Sequence, residues 1–171
     1  IFSDLGTPGS ARQFSIYEDI RRRLVVKGIP TEQIAFIHDA KTEAAKEELF
    51  ALMRDGRIRV LLGSTGKCGI GTNVQTRLYA LHHLDAPWRP ADVEQRDGRA
   101  ERRGNMWDAI EIWRYVTEAS FDSYLWQTLE VKARFIAQVM SGDRSIRKIE
   151  DVGMTALSYE EVKAIACGNP A

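Results

Sequence analysis

The sequence predicts an α/β domain built on an open parallel sheet with helices on both faces. Three observations carry that reading. Short apolar runs suited to buried strands, near residues 1–5, 34–37, 58–62, 79–84 and 109–116, alternate with stretches of helical period. The connections between them are short and punctuated by Gly and Pro, which fits right-handed crossovers between parallel strands. A glycine-rich segment, 63–71, follows directly on one strand, and ligands of such sheets sit at the carboxyl ends of strands.

In chain order, residues 1–5 give a first strand closed by the turn Gly6-Thr7-Pro8-Gly9. Ser10 is the expected cap of a helix with Phe14, Ile16, Tyr17, Ile20 and Leu24 as its apolar positions. Gly28-Ile29-Pro30 ends it. Its Arg21-Arg22-Arg23 triplet reads as a solvated surface rather than a nucleic-acid patch. The second strand leads to His38-Asp39, a pair with no nucleophile at a catalytic spacing. Thr42 starts the next helix, with Ala45, Leu49, Leu52 and Met53 inward, and Asp55-Gly56 stops it. A third strand, 58–62, and a fourth, 79–84, frame the glycine-rich turn. Pro87 and Pro90 then introduce a helix studded with arginine. After a strand at 109–116, Ser120 caps a helix over 121–140, stopped by Gly142. Phe121, Leu125, Trp126, Leu129, Phe135, Ile136 and Val139 give that helix an apolar stripe. Residues 144–148 read as a basic linker. Ser158 and Glu161 form a capping box for a last short helix through Ala166. The expected division is therefore a main domain, 1–142, and a linker with a short helical tail, 143–171.

The chain has 171 residues, 44% hydrophobic and 28% charged, with zero formal net charge. That suits one domain with a sizeable core. It gives no global electrostatic case for nucleic acid, so any such surface must be local. No apolar run approaches the roughly 20 residues a membrane helix needs. Cys68 and Cys167 fit no metal spacing. A thiol inside a glycine-rich turn suits a reducing compartment, and the expectation is a cytoplasmic protein. The start at Ile1, within a strand, suggests a piece of a longer protein.

The chemistry concentrates between Val60 and Asn105. Gly66, Gly69 and Gly71 let the backbone turn or approach something closely. Arg96, Arg99 and Arg102 recur every three residues and would share a face on a helical backbone. Each guanidinium supplies fixed charge and a planar fork of donors, which suits phosphate. The plain alternative is a solvated helix face balanced by Asp92, Glu94, Asp97 and Glu101. Residues 63–68 (GSTGKC) are not a phosphate-binding P-loop: the required first glycine falls on Leu61, and Cys68 replaces the magnesium-binding hydroxyl. No acidic box is present either. Alone, this domain lacks the parts needed to cradle a triphosphate, hold magnesium and position water.

Three segments in order resemble one family. Residues 64–75 (STGKCGIGTNVQ) resemble motif V of superfamily 2 helicases, with Gly69, Gly71 and Asn73 matching the G-x-G-x-N core of the Swi/Snf-type branch. Residues 84–90 (LDAPWRP) resemble its D-x-x-W-x-P segment. Residues 95–105 (QRDGRAERRGN) resemble motif VI, Q-R-x-G-R-x-x-R-x-G-Q, with Asn105 where the family has Gln. A weaker likeness runs from about residue 1 to about 140. The tail is similar to the segment following the helicase motifs in bacterial proteins that join a DNA methylase to a Swi/Snf-type helicase.

The resemblance implies a three-layer RecA-like lobe with a C-terminal helical extension, the second of two that close on ATP and Mg²⁺. The N-terminal lobe of the same parent chain would hold most of the nucleotide and the metal. By motif position Arg99 and Arg102 match arginine fingers, and Gln95 and Arg96 organise the motif and couple it to the other lobe. Gly71 and Asn73 match positions linking nucleotide and DNA sites. Ser64, Thr65 and Lys67 would touch the backbone of double- or single-stranded DNA without reading sequence. The domain alone would be inactive. Two further readings compete: a DNA-binding or scaffold module that kept the fold but lost the motor, and a free-standing nucleotide-binding enzyme of flavodoxin-like shape. Trp88 is expected to anchor its loop, and Tyr79, Trp107, Trp113 and Trp126 to pack.

Overall fold

A computed structural model describes residues 1–9, 14–68, 73–100, 102–118 and 120–141. The elements are α1 (Ile16–Val26), β1 (Ile34–Phe36), α2 (Glu43–Arg54), β2 (Val60–Leu62), α3 (Thr65–Cys68), β3 (Ala80–His83), α4 (Pro90–Asp97), β4 (Glu111–Arg114) and α5 (Asp122–Ser141). The described residues form two compact units: those of Ile1–Asp85 with Asp92–Tyr115, and Ala86–Ala91 with those from Val116 to Ser141. The expected boundary after residue 142, the linker and the tail helix lie outside the described residues.

In the first unit β1 pairs parallel with β2, Ile34 opposite Val60, and β3 pairs parallel with β4, Ala80 opposite Glu111. The N-terminal segment joins the two pairs. Phe2 makes parallel bridges to both Gly63 and His83. Its N–H donates to His82 O at 2.7 Å, and its carbonyl accepts from Leu84 N at 3.0 Å. The spatial order is therefore β1, β2, the Phe2 segment, β3, β4, all parallel. The carboxyl ends line one edge, where Asp4, His38, Ser64 and Asp85 follow their strands.

Side-chain alternation defines two buried faces. Ile34, Phe36 and Leu62 pack with Tyr17, Ile20 and Leu24 of α1. Phe2, Ile37, Leu61 and Leu81 pack with Leu49, Phe50 and Met53 of α2 and with Ala100. Helices thus cover both faces, giving the three-layer α/β arrangement expected from the sequence.

Local signals explain most element ends. The Thr42 Oγ1 accepts from Ala45 N at 3.1 Å and caps α2, which ends before Gly56 at φ +80°. The first helix begins at Ile16, later than a cap at residue 10 implies, and Ser10 lies outside the described residues. Ile16 N instead donates to Gly6 O at 3.2 Å, so contact with the preceding turn sets the start. The arginine triplet pairs locally, Arg21 with Glu18 and both Arg22 and Arg23 with Asp19, as a solvated face should.

The arginine row departs from expectation. Helix α4 stops at Asp97, so Arg96, Arg99 and Arg102 do not share a helical face. Gly98 N closes on Glu94 O at 2.8 Å, and then Arg99 N and Ala100 N reach back only three residues, to Arg96 O and Asp97 O. These tight turns redirect the chain.

In the second unit, Asp122 N donates to Ser120 Oγ at 3.2 Å and Asp122 Oδ2 accepts from Thr117 N at 3.1 Å, which organises the start of α5. Leu129 is buried, while Ile136 and Val139 of the expected stripe are about half exposed. The expected anchoring by Trp88 does not occur: it is 80% exposed. Tyr79, Trp107 and Trp113, expected to pack, are also about half exposed. Among the described residues no helix is long and apolar enough to cross a membrane.

Candidate functional site

The carboxyl edge of the sheet is held together by one arginine. The Arg96 side chain is fully buried. Its Nη2 donates to Asp4 Oδ2 at 2.8 Å and Asp85 Oδ1 at 3.1 Å. Nη1 donates to Asp85 O at 3.0 Å and lies 3.3 Å from His83 Nδ1, and Nε donates to Thr65 Oγ1 at 2.9 Å. The guanidinium also lies over the Phe2 ring, 5.2 Å from its centroid. A buried cation of this kind needs its charge and donors met, and here both are.

The carboxylates are equally engaged. Asp85 Oδ2 accepts from Ser3 Oγ at 3.1 Å, Asp4 N at 2.6 Å and Leu5 N at 2.9 Å. Asp4 accepts from Thr65 N at 2.7 Å and Thr65 Oγ1 at 2.8 Å. One network therefore joins the ends of the first strand, β2 and β3 to α4. A second layer follows: His83 Nε2 lies 2.8 Å from Asp97 Oδ1, and Arg114 Nη2 donates to Asp97 Oδ2 at 2.6 Å. Burial raises the Asp97 carboxyl, but His83 and Arg114 outweigh it and hold the group below the ordinary carboxylate value.

The turn after α4 carries the other arginines. Arg99 is 8% exposed, and burial followed by the charge of Arg102 lowers its affinity for a proton. Arg102 is exposed and lines an open cavity of about 420 Å³ with Arg103, Asn105, Trp107 and Asp108. Asn105 secures the far end of that turn: its Nδ2 donates to Leu78 O at 2.8 Å and its Oδ1 accepts from Trp107 N at 2.9 Å.

The glycine-rich side is close-packed at its start. A Cβ on Gly63 would lie 2.1 Å from Cys68 Sγ and 2.9 Å from Ile37 Cγ2. Only glycine lets β2 pass beneath the buried thiol, which burial raises to about 11. Ser64 Oγ lies 3.5 Å from His38 Nε2, and Lys67 is exposed.

Of the residues singled out in the sequence, Thr65 and Arg96 meet directly, and Ser64 and Lys67 lie either side of Thr65 in the chain. Gln95 is half-buried on α4. Asn73 is exposed, and its carbonyl accepts from Arg54 Nη1 at 2.9 Å, away from the Arg96 network. Gly71 lies outside the described residues. The sequence placed His83 and Asp85 at a strand end and Asp97 among the balancing charges, but gave none of them, nor Asp4, a role in the site. Asp85 stood inside the 84–90 segment and follows a predicted strand, which was the available signal, whereas Asp4 fell within the strand predicted over 1–5.

The chain is 32% identical over 99 residues to defense against restriction protein B of Escherichia phage P1, covering 58% of this chain. It spans only 4% of that protein's length. A solved structure, the C-terminal part of the Fun30 ATPase domain, is similar with a TM-score of 0.46 at 17% identity, over 68% of this chain and 45% of that one. The family model of the helicase conserved C-terminal domain matches residues 12–104, more than half of the sequence, and the chain belongs to that family.

Proposed function

We propose that this domain is the second motor lobe of an ATP-dependent DNA helicase or translocase, with Arg99 and Arg102 as its arginine fingers. The observation that carries the reading is the buried Arg96 clasp. It ties the end of α4 to three strand ends, so the turn bearing Arg99 and Arg102 starts from a fixed point, and Asn105 holds its far end against Leu78 O, just before β3. A braced cationic turn is what stabilises charge on a transferring phosphoryl group, because it does not reorganise during reaction.

The residues present fit a nucleotide phosphate better than they fit its metal. Guanidinium forks suit phosphate oxygens. Among the described residues no group of three His, Cys, Asp or Glu converges to hold a metal ion. In this reading the N-terminal lobe of the parent holds ATP and Mg²⁺, and Arg102, already exposed, approaches the γ-phosphate on closure. Arg99, nearly buried and close enough to feel the charge of Arg102, engages with it. Gln95 and Arg96 position α4, and Asn73 and Gly71 belong to the segment linking nucleotide and DNA sites.

Ser64 and Lys67 contact the DNA backbone in this account. Thr65, whose N–H and hydroxyl both meet Asp4, sets their position. Either double- or single-stranded DNA offers the phosphates required. A DNA methylase joined to the parent, and a cytoplasmic location, belong to the proposal on sequence alone.

The test is DNA-stimulated ATP hydrolysis by the full-length parent, wild type against Arg99→Ala and Arg102→Ala, with this domain alone as the blank. Loss of turnover by about 10³-fold or more with DNA binding retained supports the fingers. Unchanged hydrolysis in both variants removes these arginines from the chemistry. No hydrolysis in the wild-type parent favours a scaffold that kept the fold.

A further inference from the structure

His83 is fully buried at the end of β3, stacked on Phe2 with ring centroids 6.0 Å apart. Its two ring nitrogens meet partners of opposite demand. Nδ1 lies 3.3 Å from Arg96 Nη1, and a guanidinium can only donate, so Nδ1 must accept. Nε2 lies 2.8 Å from Asp97 Oδ1, and a carboxylate can only accept, so Nε2 must carry the proton. Both demands are met by one species, the neutral imidazole protonated at Nε2.

We propose that His83 is a positioning residue for the arginine turn, a neutral Nε2–H imidazole that locks Arg96 to Asp97 and lets go when it is protonated. Arg96 and Asp97 are adjacent at the end of α4, directly before the turn carrying Arg99 and Arg102. His83 holds both, so the last turn of α4 cannot rotate without breaking one of its hydrogen bonds. Protonation would put a hydrogen on Nδ1 facing the N–H of Arg96 Nη1, with charge against charge. The surrounding groups are Arg96 and Asp97 from α4, Arg114 from β4, Asp85 and His82 from β3 and its end, and Asp4 from the first strand. Burial lowers the basicity of the imidazole below its ordinary value of 6.5, and the attraction of Asp97 only partly offsets this. The effect on turnover rests on the motor reading; the tautomer does not.

Two measurements test this. The first is a long-range ¹⁵N correlation spectrum of the chain labelled on histidine, with His83 assigned by loss of its signals in His83→Gln. The expected pattern is an unprotonated Nδ1 and a protonated Nε2 at neutral pH. A protonated Nδ1, or an imidazolium at neutral pH, overturns the proposal, and this result needs no functional variant. The second is the pH dependence of DNA-stimulated hydrolysis in the parent. His83→Asn keeps an oxygen acceptor for Arg96 but cannot titrate. It should retain kcat within about tenfold at neutral pH, the scale of one hydrogen bond. The wild type is expected to lose kcat as pH falls below 6.5, and His83→Asn should not show that fall. His83→Phe, which can hold neither partner, should lose about 10²-fold in kcat with KM for ATP little changed, as expected for misplacement. An acid fall persisting in His83→Asn would overturn the release step. A parent with no hydrolysis at all would sink the motor reading while leaving the tautomer to decide this one.

Discussion

Removing Arg96 tests the clasp directly. Arg96→Ala deletes a guanidinium with no exposed side-chain surface and strands the two carboxylates it neutralises. Asp85 keeps three donors on Oδ2 but loses the partner of Oδ1, with only 9% of its surface exposed. Asp4 fares better, since it reaches solvent and keeps both bonds from Thr65. Removing one member of a buried ion pair costs about 3–5 kcal/mol, because the remaining charge is left without compensation. With one carboxylate partly hydrated, the lower part of that range is expected. This is a large share of the roughly 5–15 kcal/mol that holds a domain folded. Arg96→Lys keeps the charge but loses the fork, and should cost about 1–3 kcal/mol. The assay is urea unfolding of the chain at neutral pH, followed by tryptophan fluorescence, with the midpoint shifting and the slope unchanged. Arg102→Ala, at an exposed position, is the control and should stay within about 0.5 kcal/mol of wild type. A shift below about 1 kcal/mol for Arg96→Ala would refute the idea that this residue binds the sheet edge together.

Gly63→Ala should destabilise by about 1–3 kcal/mol or more, because its methyl would overlap Cys68 and Ile37; an unchanged urea midpoint would contradict the close approach. Stability should fall as pH drops below 6.5: burial lowers the basicity of His38, His82 and His83, so the unfolded chain takes up protons that the folded chain refuses. The contribution is fully present above 6.5 and is lost toward the depressed folded values; urea midpoints at a series of pH values check the sign. Cys68, buried with its thiol raised to about 11, should react with a thiol reagent at neutral pH only on unfolding, and prompt labelling of the folded chain would contradict its burial.

Much of the framework was legible because its signals are local. The apolar runs at 34–37 and 60–62 do form buried strands with side chains packed on both faces of the sheet, and Thr42 does cap the helix that follows it. The start of α1 was misjudged because a contact with Gly6, ten residues earlier, set it rather than a cap beside it. The arginine row failed as a helix face because Gly98 and two three-residue turns end α4 within it. The clasp itself was invisible. Arg96 meets Asp4 across 92 residues of sequence and His83 across 13, and no periodicity encodes such pairs. Arginines that look equivalent in a motif thus divide into a buried Arg96, a nearly buried Arg99 and an exposed Arg102, a difference set by tertiary packing. Trp113 was expected to pack on hydrophobicity and Trp88 to anchor its loop between two prolines, yet both are exposed, since large amphipathic rings are often left partly at the surface.

The most direct measurement is single-turnover ATP hydrolysis by the parent protein at saturating ATP and DNA, wild type against Arg102→Ala. The expected result is a fall of about 10³-fold or more in the hydrolysis step, with nucleotide and DNA affinity little changed and the fold intact. A hydrolysis step equal to wild type would contradict it, and would leave the exposed arginine of this turn without a part in phosphoryl transfer.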